Sequence, residues 1–468
     1  MDVLLINPKN IKSQVHGLMP PLGLNSIGNM IEANSLAVKI LDLELYPTSF
    51  DLFTYIKDLA PKIVVISGTS QSRFESFRIA NIIKKVSSAL PTVYGGCHAT
   101  FTAVDTLSHI RDIDYIVQGE GEATLLELVN FLILGKGEIK NIAGLSYRGD
   151  GQIRQNPARQ RIFDLDSIPF SRHLLEMDKY TTKLEFLNLP AISIITSRGC
   201  PYNCSFCSAS AMFGKIYTMR SAKQVVDEIE YCVENFKIRG IKFFDSTLTL
   251  NRKHVLSLIN ELKTRNINLP WECEIRVDTV DESLLKAMKE AGCYYVNFGV
   301  ESINEKVSQT IGKSITLKQI IEVMQWCKKL DLKTMVFFSF GHIGETWSDS
   351  KATFAFINKY IDYISHLSVT LGIKIFPGTY LEQYARTNGL LPPSFSWSEP
   401  FDNWQEGPIV TDNVPILIQP NYGLKELKKC YSQLYKTELR RDLKNPLSIF
   451  GKLANRFSRA WRMLISSI

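Results

Sequence analysis

Short apolar runs recur through the first 140 positions, each followed by a stretch of helical period. They are VLLIN (3–7), VKILDL (38–43), KIVVIS (62–67), TVYG (92–95) and DYIV (114–117), rich in β-branched residues. Strands separated by helix-length segments predict right-handed crossovers and a doubly wound, Rossmann-like parallel sheet over residues 1–140. In such a sheet ligands sit beyond the carboxyl ends of the strands. The small and polar residues gather there: Gly68 and Thr69 in GTSQS, Gly95, Gly96 and His98 in GGCHAT, and Gly119, Glu120, Gly121 and Glu122 in GEGE. One such loop is often only a turn, but three at one sheet edge point to a ligand.

Residues 141–190 hold short strands, turns and prolines but no long helical pattern, and read as a linker. A second series begins at 191: AISIIT, GIKFFD, WECEIRVD, YYVNFGVE, KTMVFFSFG and LSVTLGIKIFPG, with amphipathic stretches between them. Six such units over 191–395 predict an α/β domain of the partial (β/α)6 TIM type, whose chemistry belongs at the strands' carboxyl ends. The candidate residues obey this. Cys200, Cys204 and Cys207 follow the first strand, Asp245 ends the second, Arg276 the third, Glu301 the fourth, and Gly344 follows the fifth.

The remainder, 396–468, is a helical extension. Phe450, Leu453, Ala454, Phe457, Trp461, Leu464, Ile465 and Ile468 fall on one helical face, with Lys452, Arg456 and Arg459 opposite. Such a basic amphipathic helix suits an anionic lipid surface, docking on a partner, or packing on the protein itself. From Leu443 onward there is no acid and there are five basic residues, so the tail carries most of the net charge of +7. Elsewhere the two signs are interspersed, and no nucleic-acid partner is expected. The opening MDVLLINPKN has too short an apolar run for a signal peptide, and no run reaches the roughly 20 residues of a membrane span. A cytoplasmic protein is expected, with peripheral contact at the membrane's inner face through the last helix.

Nine cysteines, an odd number, do not form a disulfide framework. Three of them lie in SRGCPYNCSFCSAS, spaced C-x3-C-x2-C with no fourth nearby. Structural zinc normally takes four protein ligands. An iron–sulfur cube on three thiolates leaves one iron open to another ligand.

That spacing after the first barrel strand, with Phe206 before the last cysteine, resembles the radical S-adenosylmethionine (SAM) superfamily. The resemblance implies a 4Fe-4S cluster on Cys200, Cys204 and Cys207, SAM chelated to its open iron, and an external electron donor such as flavodoxin or ferredoxin. It assigns SAM contacts to Phe206, Asp245 in FFDSTLTLN, Arg276 in EIRVD, Glu301 in GVESIN and Gly344 in GHIGET. The N-terminal PPLGL (with Leu22), GGCHAT and GEGE are similar to the cobalamin-binding subclass, which implies cobalamin on the first sheet. The D-x-H-x-x-G signature of a cobalt-ligating histidine is absent, so His98 either touches the nucleotide tail or caps its loop. The subclass includes C-methyltransferases and the anaerobic cyclase of bacteriochlorophyll synthesis. The expected activity is methylation of an unactivated carbon on a hydrophobic, possibly lipid-like small molecule; cyclisation or rearrangement stands as the alternative within enzymes, and a cobalamin or cluster sensor as the alternative outside them.

Overall fold

A computed structural model describes residues 1–10, 17–401 and 413–443. The first unit runs β1 (Val3–Asn7), α1 (Leu22–Ala33), β2 (Val38–Asp42), α2 (Leu52–Leu59), β3 (Ile63–Ser67), α3 (Arg73–Val86), β4 (Thr92–Gly95), α4 (Cys97–His109), β5 (Tyr115–Val117) and α5 (Gly121–Leu134). The strands pair in parallel in the order β2-β1-β3-β4-β5. Val3 and Leu5 enter one apolar core while Leu4 and Ile6 enter another on the opposite face. Burial on both faces is why these strands read as continuous apolar runs instead of alternating ones. Strand order reverses at β1 and β3, and a crevice opens there at the carboxyl ends.

The segment expected as a linker does more than connect. β6 (Leu145–Gly149) and β7 (Gln152–Gln155) extend the first sheet by an antiparallel hairpin. Its turn residues Asp150 and Gly151 both have positive φ, 53° and 73°, as a two-residue hairpin loop of this hand requires. The chain then crosses α1, where the amides of Asn25 and Asn29 donate to the Ser171 carbonyl at 2.6 and 3.1 Å.

The second unit comprises β8 (Ile192–Ile194), β9 (Ser197–Arg198), α6 (Ser208–Phe213), β10 (Thr218–Met219), α7 (Ala222–Asn235), β11 (Ile241–Phe243), α8 (Arg252–Thr264), β12 (Trp271–Ile275), α9 (Glu282–Glu290), β13 (Cys293–Glu301), α10 (Glu305–Thr310), α11 (Leu317–Lys329), β14 (Lys333–Phe340), α12 (Trp347–Tyr360), β15 (His366–Leu371), α13 (Tyr380–Thr387) and α14 (Leu424–Leu443). Six strands form one parallel sheet, β8-β11-β12-β13-β14-β15, whose first and last members do not pair. The barrel is therefore open on one side. Alternate strand residues such as Ile241, Cys273, Val296 and Val336 pack outward in the main core. Ser221, Asn251, Asp281, Thr316 and Thr346 start their helices with side chains that accept from the first turn.

The C-terminal extension returns to the first unit. Arg73 is fully buried and donates to three carbonyls, those of Ser70 and Asn413 at 2.5 Å and Trp397 at 2.9 Å. Burial lowers its pKa to about 10, against the opposing pull of Tyr94 and Asp105. No described helix is long and apolar enough to cross a membrane. The amphipathic segment 445–468 lies outside the described residues.

Candidate functional site

The cysteine loop leaves β8 through the small β9–β10 ladder, where Ser197 and Arg198 pair with Met219 and Thr218. Gly199 has φ +93°, and a Cβ there would strike the Ile216 carbonyl. Beyond it, Ser205 N–H donates to the Ile311 carbonyl at 2.9 Å, and Cys207 N–H to that of Cys204 at 3.0 Å. Burial pushes the three thiols up; Lys313 pulls all three the other way, and Arg276 does so for Cys200 and Cys204. A metal ligand must be a thiolate, so the two cations favour the ligating form. Among the described residues no three His, Cys, Asp or Glu side chains converge on a single-ion site. A cube asks for a different arrangement, because each thiolate binds a separate iron and the three must surround a volume. Three partly exposed thiols on one loop, faced by cations, fit that group.

Glu301 stands opposite the loop. The pairing of β13 with β14 slips between Gly299 and Glu301, a bulge of the kind that re-aims a side chain. Glu301 has φ +65°, a left-handed conformation costly for a residue with a Cβ. Its carboxylate accepts from Lys313 Nζ at 2.9 Å and Ser339 Oγ at 2.5 Å. Burial would raise its pKa, but Lys313 and Ser339 together hold it below the usual range. A Cβ on Gly299 would collide with both partners of this ion pair. The Arg276 guanidinium lies 3.5 Å from the Tyr202 ring centroid, holds Asp278 through two 2.9 Å bonds, and reaches within 4.0 Å of Cys204 Sγ. Phe206 packs 5.4 Å from the His342 ring, joining the cysteine loop to GHIGET.

Two other expected SAM contacts are engaged within the protein. Asp245 is buried and accepts from the backbone and hydroxyl of Thr196 and from the Ser197 hydroxyl. It braces the strand end from which the cysteine loop departs. Gly344 N–H donates to Gln419 at 3.1 Å. Beneath this turn Glu345 accepts from the backbone of Gly341 and His342 and from Ser350, and burial raises its pKa to about 7.

Between the carboxyl ends of the two sheets lies a cavity of about 350 Å3. Leu22, Gly95, Gly96, Gly119, Glu120, Gly121 and Glu122 line it from the first unit; Ile195, Arg198, Gly199, Phe213 and Phe244 line it from the second; Leu165 and Phe170 come from the former linker. Gly96 has φ +99° and its Cβ would approach Gly68 O at 2.7 Å, whereas a Cβ on Gly95 meets nothing closer than 3.8 Å. The cradle is thus open at Gly95 for a large ligand. Gly68, Thr69 and His98 do not line it. A Cβ on Gly68 would press on the Tyr94 hydroxyl, Thr69 bonds Ser72, and His98 is fully buried against Trp397 with Nδ1 on Ser70 at 3.0 Å. Burial lowers the His98 pKa to about 3, so the ring is neutral.

The GEGE acids are tied to the other unit. Arg198, two residues before the first cysteine, donates to Glu120 at 2.9 Å and Glu122 at 2.6 Å; Arg161 reaches Glu120 at 2.8 Å, and Ser26 reaches Glu122 at 2.8 Å. The loop that walls the cavity and the loop that holds the thiols are therefore one ion network. Local patterning did not reveal Arg161, Arg198 or Lys313, because their partners are more than ten residues away in the chain.

Comparison with known proteins accords with this geometry. Residues 194–357 match the family described as Radical SAM superfamily and residues 8–129 the B12 binding domain. An uncharacterized methyltransferase, PH0819 of Pyrococcus horikoshii, is 38% identical over 84% of each chain. The chain belongs to the cobalamin-binding radical SAM family. The cofactors of this radical SAM enzyme are a 4Fe-4S cluster, SAM and cobalamin. The anaerobic magnesium-protoporphyrin IX monomethyl ester cyclase of Rubrivivax gelatinosus is 29% identical over 76% of this chain and 65% of its own. The radical SAM methyltransferase TsrM from Kitasatospora setae, solved with cobalamin and a [4Fe-4S] cluster, superposes with a TM-score of 0.68 over 82% of this chain and 79% of its own, at 22% identity, and so shares the fold.

Proposed function

We propose that this enzyme methylates an unactivated carbon of a hydrophobic biosynthetic intermediate. The observation that carries the reading is the cavity, which is walled by the cobalamin-side loops, opens beside the cysteine loop, and presents Ile195, Phe213 and Phe244 to its contents. When bound, the cluster with SAM supplies a 5′-deoxyadenosyl radical and cobalamin a transferable methyl group. The chain's own residues supply placement. Cys200, Cys204 and Cys207 would hold the cluster, Arg276 and Lys313 offer positive charge toward a carboxylate near the thiols, and Glu301 offers acceptors to hydroxyl or amino groups. Gly95 and Gly96 would admit cobalamin against the first sheet. The apolar walls exclude water from a reactive centre, and the Arg198 network keeps the two sheet ends facing each other.

The test uses reduced, anaerobic enzyme with methyl-labelled SAM and extract of the host cell. Methyl transfer predicts 5′-deoxyadenosine, S-adenosylhomocysteine and label in an organic-soluble product. Deoxyadenosine alone, with an unlabelled product, defeats methyl transfer and leaves cyclisation or rearrangement.

A further inference from the structure

The inner face of the open barrel carries a polar pair that no contact among the described residues completes. Strand register sets Glu274, Asn297 and Met335 side by side on β12, β13 and β14. Their neighbours Cys273, Ile275, Val296, Phe298 and Val336 all pack into the outer core, so period-2 alternation turns Glu274 and Asn297 toward the barrel axis. The Asn297 amide donates to Glu274 Oε1 at 3.1 Å, while Asn297 Oδ1 is buried with no partner among the described residues. A carboxylate accepts about four hydrogen bonds, and this one receives a single bond from the described residues. Of the two cations that act on it, Lys242 is engaged at 2.6 Å by Glu272 and Lys313 at 2.9 Å by Glu301. Burial raises the pKa of Glu274 to about 7, with Asn297 opposing.

The pair is not sealed in the core. Glu274 is partly open to the barrel interior. One place beyond the paired residues Phe243 and Ile194 stand Phe244, 37% exposed, and Ile195, both of which line the cavity. The apolar wall of the cavity therefore ends beside Glu274 and Asn297, which do not themselves line it but set acceptors in excess of donors at its inner edge. Buried acceptors left unmatched cost free energy, and a donor from outside the chain removes that cost.

Resting on the proposed methyl transfer for its context, we propose that Glu274 and Asn297 form a substrate anchor that binds a hydrogen-bond donor, a hydroxyl or an amine, on an otherwise apolar molecule. Holding one polar end on the barrel floor orients the remaining carbon skeleton along the cavity toward the cysteine loop. The anchor makes the substrate amphipathic: one donor group at a fixed distance from the reacting carbon. Glu274 and Asn297 act by positioning.

The experiment measures, for cofactor-loaded wild type, Glu274→Leu and Glu274→Gln, the ratio of deoxyadenosine formed with and without an organic extract of host cells that lack this enzyme. The ratio cancels differences in cluster loading between variants. Methyl-labelled SAM is used throughout, so label in the product reports the reaction type separately from the anchor. The Leu variant should need about ten times more extract for half-maximal stimulation, the loss expected for one hydrogen bond. A Gln variant that behaves like wild type identifies a hydroxyl; one that behaves like Leu identifies an amine. Equal half-maximal amounts for wild type and the Leu variant, or no stimulation of wild type, overturns the anchor, the former meaning that only water fills these acceptors. Unlabelled product with a shifted Leu variant overturns methyl transfer alone.

Discussion

Replacing Arg198 with alanine should separate the two cofactor sites. In the native protein this guanidinium holds Glu120 at 2.9 Å and Glu122 at 2.6 Å, with the two acids only 3% and 5% exposed. Glu120 keeps Arg161 after the change, but Glu122 keeps only the Ser26 hydroxyl. Stranding one buried carboxylate costs about 3–5 kcal/mol. Because Arg198 is itself 20% exposed, the lower end applies, about 3 kcal/mol, or roughly a 150-fold shift in the equilibrium that docks the GEGE loop on the cysteine loop. The pH response should also reverse. In the native protein Arg198 and Ser26 overcome burial and hold Glu122 below its usual pKa, so this group's stabilisation is present above the usual carboxylate value and is lost as pH falls. Without Arg198 burial dominates, the folded pKa rises, and the variant regains stability as the acid protonates at lower pH. Melting curves across pH 3–8, with a cobalamin titration followed by visible absorbance, read both effects. Adding Glu122→Gln to the variant should restore much of the loss. An Arg198→Ala protein with native melting temperature and native cobalamin affinity would refute the clamp.

Two further changes probe the cavity and its supports. Gly95→Ala should leave the melting temperature near native, since its Cβ meets nothing within 3.8 Å, yet weaken cobalamin binding; Gly96→Ala, at φ +99° and 2.7 Å from a backbone oxygen, should lower the melting temperature itself by the equivalent of at least about 1 kcal/mol. Equal cobalamin titrations for Gly95→Ala and wild type would misplace the ligand. Burial raises Glu345 from 4.5 to about 7, so its contribution is fully present below pH 4.5 and lost as pH rises toward 7, by about 3 kcal/mol at most. Glu345→Gln should flatten that part of the melting-temperature profile, and an unchanged slope would place the titration elsewhere.

The strands of both units were legible from local pattern because each is buried on at least one face, and burial writes itself into runs such as VLLIN and KTMVFFSF. The thiol ligands were legible because a loop of three cysteines has few other uses. The hairpin at 145–155 reads as part of a linker because its second strand is largely exposed and nothing local says which sheet it joins. Glu120 and Glu122 drew attention as members of a loop motif, but their partners Arg161 and Arg198 are chosen by the docking of two sheets, which leaves no periodicity to read. Lys313 was missed for the same reason: GKSIT resembles any turn before a helix until the β13 bulge brings Glu301 to it. His98 lies in the loop that the motif points to, but Trp397, which covers it, belongs to the returning extension, a contact that local sequence does not reveal.

The left-handed backbone of Glu301 has a consequence for how this sequence can drift. Glycine at that position would relax the strain at once, and asparagine would relax part of it, yet neither is a free gain. Either change would release the Lys313 ammonium from its carboxylate beside the cluster loop. Position 301 is therefore held from two sides: the backbone strain favours a residue without a Cβ, while the buried Lys313 needs the acid, and because a buried cation left alone costs more than the strain, lineages that lose the acid should keep their stability only where position 313 has changed with it.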